Sequence, residues 1–322
     1  MKTTHRQSGF TLIELMVAMG LGLTLVAGTI VIFVQNNRSA VQDEEISRIL
    51  ENGRFVVRQI GRELAMSGFW GKFLDVDTTA VHASVVVGQD CGDGVNDWAT
   101  DLTALGFVNN ATTAAVAAAH ECLPSGDIVA GSDVIAVQRV SDSTTTDGAI
   151  SAGQLYLRTN GVAAQLFQGG GVDTPPAMTG TVSNWAYLPQ VYYIRDFSVA
   201  ADDGIPTLCR AYMDSGANPD MTNECLVDGV ENLQFEFGVD EDGDFIANYY
   251  TASPTAAEIS DSVSLRLYVL VRSINTVAGY VNDKSYELGS TIVPAPNDGF
   301  FRRVFTSTIL LRNPSNLTGL NS

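Results

Sequence analysis

The feature that most constrains this chain is an apolar run near its amino terminus, residues 10–34. The run, FTLIELMVAMGLGLTLVAGTIVIFV, carries one charge, at Glu14. About 20 apolar residues in helical conformation span the hydrocarbon core of a bilayer. The nine preceding residues are polar and include Lys2 and Arg6 but no acid. Because basic flanks favour the cytoplasmic side, we expect the amino end to stay in the cytoplasm and the rest to be exported.

A small residue that could mark a cleavage site, Gly9, stands before the apolar run. An ordinary secretory signal has its small residues after the apolar core, so processing removes the core. Cleavage after Gly9 would instead leave the apolar helix on the mature protein. The stretch SGFTLIELMVAM, with Gly9, Phe10 and Glu14, resembles the type IV prepilin signal. The resemblance implies a leader of residues 1–9, cleavage by a prepilin peptidase and N-methylation of Phe10.

The lone carboxylate inside the apolar run, Glu14, has two interpretations. A charge at the centre of a membrane helix costs roughly 2.5–3.5 kcal/mol on insertion scales, and a position near the helix end lowers that cost. Glu14 could therefore be a tolerated interfacial acid. The resemblance to pilins implies a functional role, in which this acid pairs with the amino group of a neighbouring subunit's first residue. Such a pair is strengthened by low dielectric and would set the register of assembly.

Helical periodicity continues beyond the apolar run. We predict one helix from about Phe10 to Met66, with residues 10–34 as the membrane and polymerisation segment. Residues 35–70 form an amphipathic continuation, whose apolar stripe packs on a globular domain. The stripe comprises Ile46, Ile49, Leu50, Val56, Val57, Ile60 and Leu64.

Three arginines, Arg54, Arg58 and Arg62, recur every four residues along the predicted helix. Residues four apart lie on the same helix face, so the three side chains form a basic row. Two interpretations stay open: a solvated face, or a contact with an acidic surface of a neighbouring subunit.

The end of the predicted helix carries a second resemblance. The segment ILENGRFVVRQIGRELAMSGFWG, residues 49–71, resembles the PilW family of minor pilins, in which a similar ENGRF…G(F/Y)WG run ends the helix. Gly68 and Gly71 bracket Phe69 and Trp70. Glycines at these positions favour helix termination and let the two aromatic rings enter the domain core.

From about residue 75 the composition shifts to Val, Thr, Gly, Asp and Ser, and period-two runs appear. An alanine-rich stretch at 111–121 predicts a short helix. We expect residues 71–322 to form a β-rich globular domain, and the whole chain to be α+β with a type IV pilin-like plan, a long helix packed on a large antiparallel sheet domain. The strand order over 190–313 also resembles the PilW family. The predicted strands are 132–140, 154–159, 191–199, 233–239, 263–271 and 302–313.

Four cysteines lie beyond the predicted helix: Cys91, Cys122, Cys209 and Cys225. Export to an oxidising compartment makes disulfides the default, and four thiols allow three pairings. We favour Cys91–Cys122 with Cys209–Cys225, because these pairs close the shorter loops. The other two pairings stay open at this stage.

An acidic stretch after the strand at 233–239, DEDGDFIAN, is a candidate calcium loop. Alternating oxygen ligands in a tight turn suit Ca²⁺. The stretch departs from the usual pattern at Phe245, where glycine normally stands, and at Thr251, where an acid normally stands. The alternative is an acidic hairpin turn without a metal. The candidate ligands are Asp240, Asp242, Asp244 and Asn248.

The charge of the chain excludes some partners. Formal net charge is −18, and loss of Lys2 and Arg6 with the leader would take it to −20. An acidic surface repels phosphates, so we expect no direct nucleic-acid binding. No GxSxG, GxxxxGK[ST], GxGxxG or HExxH motif is present. We therefore expect no enzyme, with a membrane-tethered periplasmic hydrolase as a remote alternative, and no cofactor apart from the candidate calcium ion.

The resemblance to PilW implies a minor pilin that helps prime assembly of a type IV pilus and lies at or near its tip, supporting twitching motility and adhesion. The implied partners are other minor pilins, the major pilin, the prepilin peptidase, the inner-membrane assembly platform and a tip adhesin. The protein would lie in the bacterial inner membrane with a periplasmic carboxy terminus, then in a pilus on the cell surface. The alternatives are a minor pseudopilin of a type II secretion system and a membrane-anchored receptor that never polymerises.

Overall fold

One long helix, α1 (Leu12–Ala65), runs for 54 residues from the apolar run into the globular part of the protein. It begins at the N-cap Thr11 and ends at the C-cap Met66, so the prediction of a single continuous helix is confirmed. The computed structural model describes residues 9, 11–74, 76–88, 91 and 102–313. The leader residues 1–8 and Phe10 lie outside that part.

The two halves of α1 differ in burial. Apolar side chains of the first half are exposed, from 77% at Leu12 to 42% at Val34. Within the described residues, α1 is the helix long and apolar enough to cross a membrane. In the second half, four aliphatic side chains are at most 4% exposed, and burial of each contributes roughly 1.5–3 kcal/mol. They are Ile49, Val56, Ile60 and Leu64.

Strands dominate the rest of the described chain, together with short helices α2 (Thr113–Ala119) and α3 (Ala256–Ser260). In chain order the strands are β1 (Ala80–Val81), β2 (Leu105–Val108), β3 (Val134–Val137), β4 (Val140–Thr145), β5 (Leu155–Thr159), β6 (Ala164–Gln168), β7 (Ser183–Tyr187), β8 (Gln190–Arg195), β9 (Thr207–Met213), β10 (Met221–Asp228), β11 (Val230–Val239), β12 (Tyr249–Thr251), β13 (Ser262–Arg272), β14 (Tyr286–Leu288), β15 (Thr291–Val293) and β16 (Arg302–Leu310).

These strands form three larger sheets in the described part of the chain. Sheet I has the order β1-β6-β5-β7-β4, sheet II the order β10-β9-β8-β3-β2, and sheet III the order β12-β11-β13-β16. Strands β14 and β15 form a separate hairpin. Neighbouring strands are antiparallel except β1 and β6, which are parallel. The predicted α+β class, with a long helix on antiparallel sheets, is confirmed.

Most predicted elements match observed ones, and one was wrong. The predicted strand at 132–140 is two strands in different sheets, because the chain leaves sheet II after Val137 and enters sheet I at Val140. Every residue between these positions is buried, so hydrophobic periodicity gives no sign of the crossing. The predicted strand at 191–199 ends early, at Arg195, and that at 302–313 ends at Leu310.

Sheet II is a shared layer between two hydrophobic cores. One of its faces packs with α1 and sheet III, and the other packs with sheet I. In β3, for example, Ile135 and Val137 face the first core, whereas Val134 and Ala136 face the second. Strands covered on both faces read as continuous apolar runs, which is the pattern of β3 and β8.

The core beneath α1 comes mainly from sheet III. Strands β11 and β13 pair with Phe235 opposite Leu267, and both side chains are fully buried. The predicted alternation is confirmed, because the odd-numbered apolar residues of both strands share this buried face. They are Leu233, Phe235, Phe237, Leu265, Leu267, Val269 and Val271.

Glycines end α1 where the sequence predicted. Gly68 and Gly71 have positive φ angles of 68° and 69°. A Cβ on Gly71 would lie 2.6 Å from the ring of Trp185, so glycine is required there for conformation and for space. Phe69 packs edge-on against Trp185 at 5.6 Å, and Trp70 is only 6% exposed. The two aromatic residues therefore anchor the helix end to sheet I.

Disulfides join Cys91 to Cys122 and Cys209 to Cys225, the sequence-neighbour pairing expected from the shorter loops. Cys209 and Cys225 are directly opposite each other on β9 and β10, with Cα atoms 3.9 Å apart. Cys91 and Cys122 belong to the core between sheets I and II.

Candidate functional site

The amino end of α1 carries a capping box that the sequence analysis had missed. The Oε2 atom of Glu14 accepts hydrogen bonds from the backbone N–H and the hydroxyl of Thr11, both at 2.9 Å. The backbone N–H of Glu14 in turn donates to Thr11 Oγ1 at 3.4 Å. The signal was present as Thr-x-x-Glu before an apolar run. Glu14 therefore stabilises the start of its own helix, where a negative charge is favoured.

One carboxylate oxygen of Glu14 is left for another partner. Both hydrogen bonds from Thr11 go to Oε2, and among the described residues none goes to Oε1. Capping of the helix and contact with an external cation can therefore occur together. Gly9 precedes this turn and is exposed, whereas Phe10, the predicted methylation site, lies outside the described residues.

A buried polar network joins the second half of α1 to the globular part. Glu63 on α1 receives two hydrogen bonds from Arg139, Nε to Oε2 at 2.7 Å and Nη2 to Oε1 at 3.0 Å. Gln190 on β8 also donates to Glu63 Oε2, at 3.3 Å. Arg139 lies between β3 and β4, so one ion pair contacts the helix at the crossing between sheets I and II.

The network continues along β8 to the neighbouring strand. Tyr192 donates to Gln190 Oε1 at 2.7 Å, and Arg210 on β9 donates to the same oxygen at 3.1 Å. Gln59 on α1 donates to the Tyr192 hydroxyl at 3.4 Å. Burial raises the pKa of Tyr192, so the phenol stays protonated and keeps donating. We call the globular part that follows α1, from Ser67 onward, the head. Helix α1 and the head are therefore held together by polar contacts as well as by apolar packing.

A second buried acid, Glu45, lies on α1 nearer the membrane segment. It is 3% exposed, and its Oε1 accepts a hydrogen bond from Asn275 Nδ2 at 2.8 Å. Its other oxygen, Oε2, has no hydrogen-bond partner within the described residues. The contact ties α1 to the loop that follows β13.

The predicted basic row is on the solvent side of α1. Arg62 approaches Asp142 at 3.6 Å, with both side chains about two-thirds exposed. Within the described part of the protein, no ion pair involves Arg54 or Arg58. These two side chains line a shallow groove together with Ser47, Leu50 and Glu51.

The candidate calcium loop connects β11 to β12 at one edge of sheet III. One carboxylate oxygen each of Asp240, Asp242 and Asp244 can be chosen so that all three lie within 4.8 Å of one another. Asp240 is buried and accepts hydrogen bonds from the backbone N–H groups of Gly243 and Phe245, both at 2.8 Å. The loop brings the three predicted aspartates together in a tight turn.

The fourth candidate calcium ligand has a different contact. Asn248 Oδ1 accepts a hydrogen bond from the backbone N–H of Glu241 at 2.7 Å. Phe245 stands at the usual glycine position with a φ of 65°, a conformation that costs a non-glycine residue about 1–2 kcal/mol.

The predicted site residues do not converge on one cleft. Glu14 lies in the first turn of α1, the aspartates lie beside sheet III, and the cysteines lie in or beside sheet II. The histidines of the described part are also dispersed. His82 contacts Ser84, while burial lowers the pKa of His120 to about 4 and keeps it neutral. The arrangement is that of a long helix whose second half is anchored to a sheet-rich head.

Comparison with protein families agrees with this architecture. Residues 4–30 match the prokaryotic N-terminal methylation motif. Residues 191–313, which span β8 to β16, match the type IV pilus-assembly protein W family. The amino-terminal motif, the membrane-length helix and the sheet-rich head define a type IV pilin, a structural class of protein. The carboxy-terminal match is to a narrower family, and together the two matches support a PilW-family type IV minor pilin and confirm the resemblance noted over residues 190–313.

Among solved structures, a type IV-like pilin from Thermus thermophilus is similar, with 12% identity and a TM-score of 0.37. The similarity covers 83% of this chain and 96% of that one. No curated protein sequence matches significantly. Sheet I and the helix α2, over residues 80–187, lie outside both family matches.

Proposed function

We propose that this PilW-family protein primes assembly of a type IV pilus and lies at or near the pilus tip, supporting twitching motility and adhesion. The observation that carries the proposal is the division of α1. Its first half exposes apolar side chains all round and carries one acid, whereas its second half is bonded to the sheet-rich head. The first half of α1 suits side-by-side packing with other pilin helices, and the head suits recognition of partner proteins.

Glu14 would provide the register of that packing. After cleavage behind Gly9, the new amino group would be on Phe10. The Oε1 atom of Glu14, which Thr11 leaves without a hydrogen bond, could accept the ammonium group of a neighbouring subunit. Water is scarce among packed apolar helices, so an opposite-charge pair there is stronger than on an exposed surface.

The proposed partners follow from this mechanism. Other minor pilins and the major pilin would contact α1, the prepilin peptidase would process Gly9 and Phe10, and an inner-membrane platform would drive assembly. The protein would begin as a single-pass inner-membrane protein with a periplasmic head and end on the cell surface. A tip adhesin is the proposed partner of the head.

The first experiment compares a strain lacking this gene with its parent. Surface pili are counted by electron microscopy, and secreted enzymes are assayed in the same cultures. We expect loss of pili with normal secretion, restored by the intact gene. Normal pili with failed secretion would identify a type II secretion pseudopilin instead. Normal results in both assays would contradict a required role in assembly.

We also propose that the loop at 240–248 binds calcium. The supporting observation is the approach of three aspartate carboxylates to within 4.8 Å, because Ca²⁺ favours several oxygen ligands in one turn. Calorimetry on the full-length protein in detergent tests it. We expect calcium binding that Asp242→Asn weakens at least tenfold, whereas Asp283→Asn, at an exposed acid outside the loop, leaves it unchanged. Absence of binding at millimolar calcium would disprove this site.

A further inference from the structure

The last strand, β16, forms a free edge of sheet III. It pairs with β13 over nine consecutive residues, from Arg302 opposite Arg272 to Leu310 opposite Ser264. No second strand pairs with β16 among the described residues. An exposed edge presents unpaired N–H and C=O groups and is a template for another strand.

The free backbone groups can be assigned by residue. Leu311 N donates to Val263 O, and hydrogen-bonded pairs alternate along an antiparallel ladder. Odd-numbered residues of β16 therefore bond to β13. The even-numbered residues direct their N–H and C=O groups away from it, and these are Arg302, Val304, Thr306, Thr308 and Leu310.

Other sheet edges in the described part are protected in ways that β16 is not. Strands β1, β2 and β12 have two, four and three residues. Strand β10 has an irregularity between Cys225 and Val227, and β4 has one between Val140 and Thr144. Short edges and bulges discourage the addition of a further strand. Strand β16 is long, regular and free of proline, so its edge is open to pairing.

The flank of α1 beside this edge can be located from two glycines. A Cβ on Gly53 would lie 2.2 Å from the ring of Phe305, and one on Gly61 would lie 3.6 Å from Ile309. The helix therefore lies directly over β16. Asn52 contacts the opposite side, donating to the backbone oxygen of Asp228 on β10.

The side of α1 beyond β16 follows from the 100° rotation per residue. It carries the groove lined by Arg54 and Arg58 together with Ser47, Leu50 and Glu51. Arg303, exposed near the start of β16, lies over the ring of Phe305 at 5.8 Å. The free edge is thus bordered by three cations without an ion pair in the described structure, on a chain of net charge −18. Like charges four residues apart destabilise a helix slightly. An acidic partner would therefore reduce the repulsion between Arg54 and Arg58.

A lipid headgroup does not suit this cluster of charges. Arg54 follows Val34, the end of the apolar run, by 20 residues, which correspond to about 30 Å of helix. Attraction between exposed charges is screened beyond about 8 Å at physiological ionic strength. A lipid headgroup is therefore too far from these arginines, whereas an acidic segment of a neighbouring subunit can reach them.

We propose that the free edge of β16 receives an extended, acidic segment of a different pilus subunit as an added strand. Backbone groups of Val304, Thr306 and Thr308 would bond to the incoming segment, and its carboxylates would contact Arg54, Arg58 and Arg303. Strand addition at an exposed sheet edge is an established mode of peptide recognition. This proposal rests on the proposed role in pilus assembly, because it names the contact through which the head would bind a neighbour.

A photo-crosslinking residue at position 308 of the full-length protein, in the native cell, tests the contact. We expect crosslinks to an acidic, extended segment of another pilus subunit, identified by peptide mass spectrometry. The same residue at position 162, which is 87% exposed between β5 and β6 of sheet I, is the control and should not capture that segment. Crosslinks to lipid, to a second copy, or to residues 314–322 of the same chain would overturn the proposal, as would no crosslink.

Backbone chemistry provides a second test. Thr306→Pro removes an outward N–H and leaves the bonds to β13 in place, since proline is tolerated on an edge strand facing solvent. Thr306→Ala keeps the N–H. With position 308 as the probe, we expect Thr306→Pro to lower crosslink yield at least tenfold and Thr306→Ala to change it less than twofold. Equal yields for the two variants would overturn strand addition, provided both melt at the wild-type temperature.

Charge provides a third test, with a matched control. Arg54→Glu and Lys284→Glu change the net charge equally, and Lys284 lies near β14. We expect Arg54→Glu to lower crosslink yield at least fivefold and Lys284→Glu to leave it unchanged. Equal effects of the two variants would overturn the role of the arginines.

If Glu14→Ala still permits pili, the proposed function fails. If Glu14→Ala abolishes pili and Thr306→Pro leaves crosslinking intact, only the strand-addition proposal fails.

Discussion

Arg139 and Glu63 form a two-pronged ion pair inside the protein, with side chains 8% and 7% exposed. The pair bridges α1 and the point where the chain crosses from sheet II to sheet I. Gln190 adds a further hydrogen bond to the same carboxylate. Because α1 is the proposed polymerisation element, this pair lies on the route by which an axial load on the helix would reach the head.

The first prediction concerns that pair. Removal of one partner from a buried ion pair leaves an uncompensated charge and costs about 3–5 kcal/mol. We expect Arg139→Ala to lower the free energy of unfolding by that amount, measured by denaturant titration of the full-length protein in detergent. Arg62→Ala is the control, since the exposed Arg62–Asp142 pair should contribute less than about 1 kcal/mol. Equal losses in the free energy of unfolding for both variants would show that the buried pair stabilises the protein no more than the exposed pair does.

The second prediction separates the two roles of Glu14. Glutamine can still accept the hydrogen bonds of a capping box but carries no charge. We expect Glu14→Gln to keep the protein in the membrane at normal level and to lower its amount in purified pili at least tenfold. Thr11→Ala removes the cap, which costs about 1 kcal/mol, and should lower incorporation less than twofold.

Immunoblots of membranes and sheared pili provide the measurement for these two variants. Normal incorporation of Glu14→Gln would mean that charge at this position is dispensable. A severe defect in Thr11→Ala would mean that the cap, and not the charge, is required.

The third prediction compares two glycines on α1. Gly53→Ala would force a methyl group to within 2.2 Å of Phe305 and should destabilise the protein by about 1–3 kcal/mol. Gly61→Ala meets only ordinary contact with Ile309 at 3.6 Å, and alanine is preferred in helices by about 1 kcal/mol. We therefore expect opposite signs, measured as shifts in the thermal unfolding midpoint. A stabilised Gly53→Ala would show that the helix can move away from β16.

The fourth prediction concerns pH. Asp133 is fully buried and accepts hydrogen bonds from the N–H groups of Asn110 and Phe235, both at 2.8 Å. Burial raises its pKa to about 7 from the ordinary 3.8, and the two N–H donors only partly oppose the rise. A raised carboxyl pKa means that the folded state holds the proton more tightly than the unfolded state. The contribution of Asp133 to stability therefore falls as pH rises from about 4 to 7 and is constant above that range.

Thermal unfolding midpoints between pH 4 and pH 8 measure this effect in the wild type and in Asp133→Asn. The difference between the two should change across that window, with the wild type losing stability relative to the variant as pH rises. Asp283→Asn, at an exposed acid, serves as the control and should leave a constant difference. A constant difference for Asp133→Asn as well would contradict the raised pKa.

Local patterns in the sequence were sufficient for several elements. The length and apolarity of residues 10–34, the stripe ending at Leu64 and the glycines at 68 and 71 predicted α1 and its end. Alternation over 233–239 and 263–271 predicted β11, β13 and their buried faces. The Thr11–Glu14 capping box was also visible as a local motif, although it was missed.

Other features depended on residues distant in the chain. The uniform burial of 133–140 concealed the crossing between sheets, and nothing near Glu63 indicated a partner 76 residues away. The order of strands, which leaves β16 at an edge, also depends on pairing across the whole head.

The sequence by itself determined the membrane-length helix, the single acid at its start, the amphipathic continuation and the α+β class. These features depend on hydropathy and periodicity within a few turns of chain. Only the tertiary structure decided that α1 is bonded to its head through Glu63, that three aspartates converge beside sheet III, and that Thr306 directs its backbone groups outward. Each of these requires contacts between segments that the chain brings together only on folding, so no local pattern could specify them.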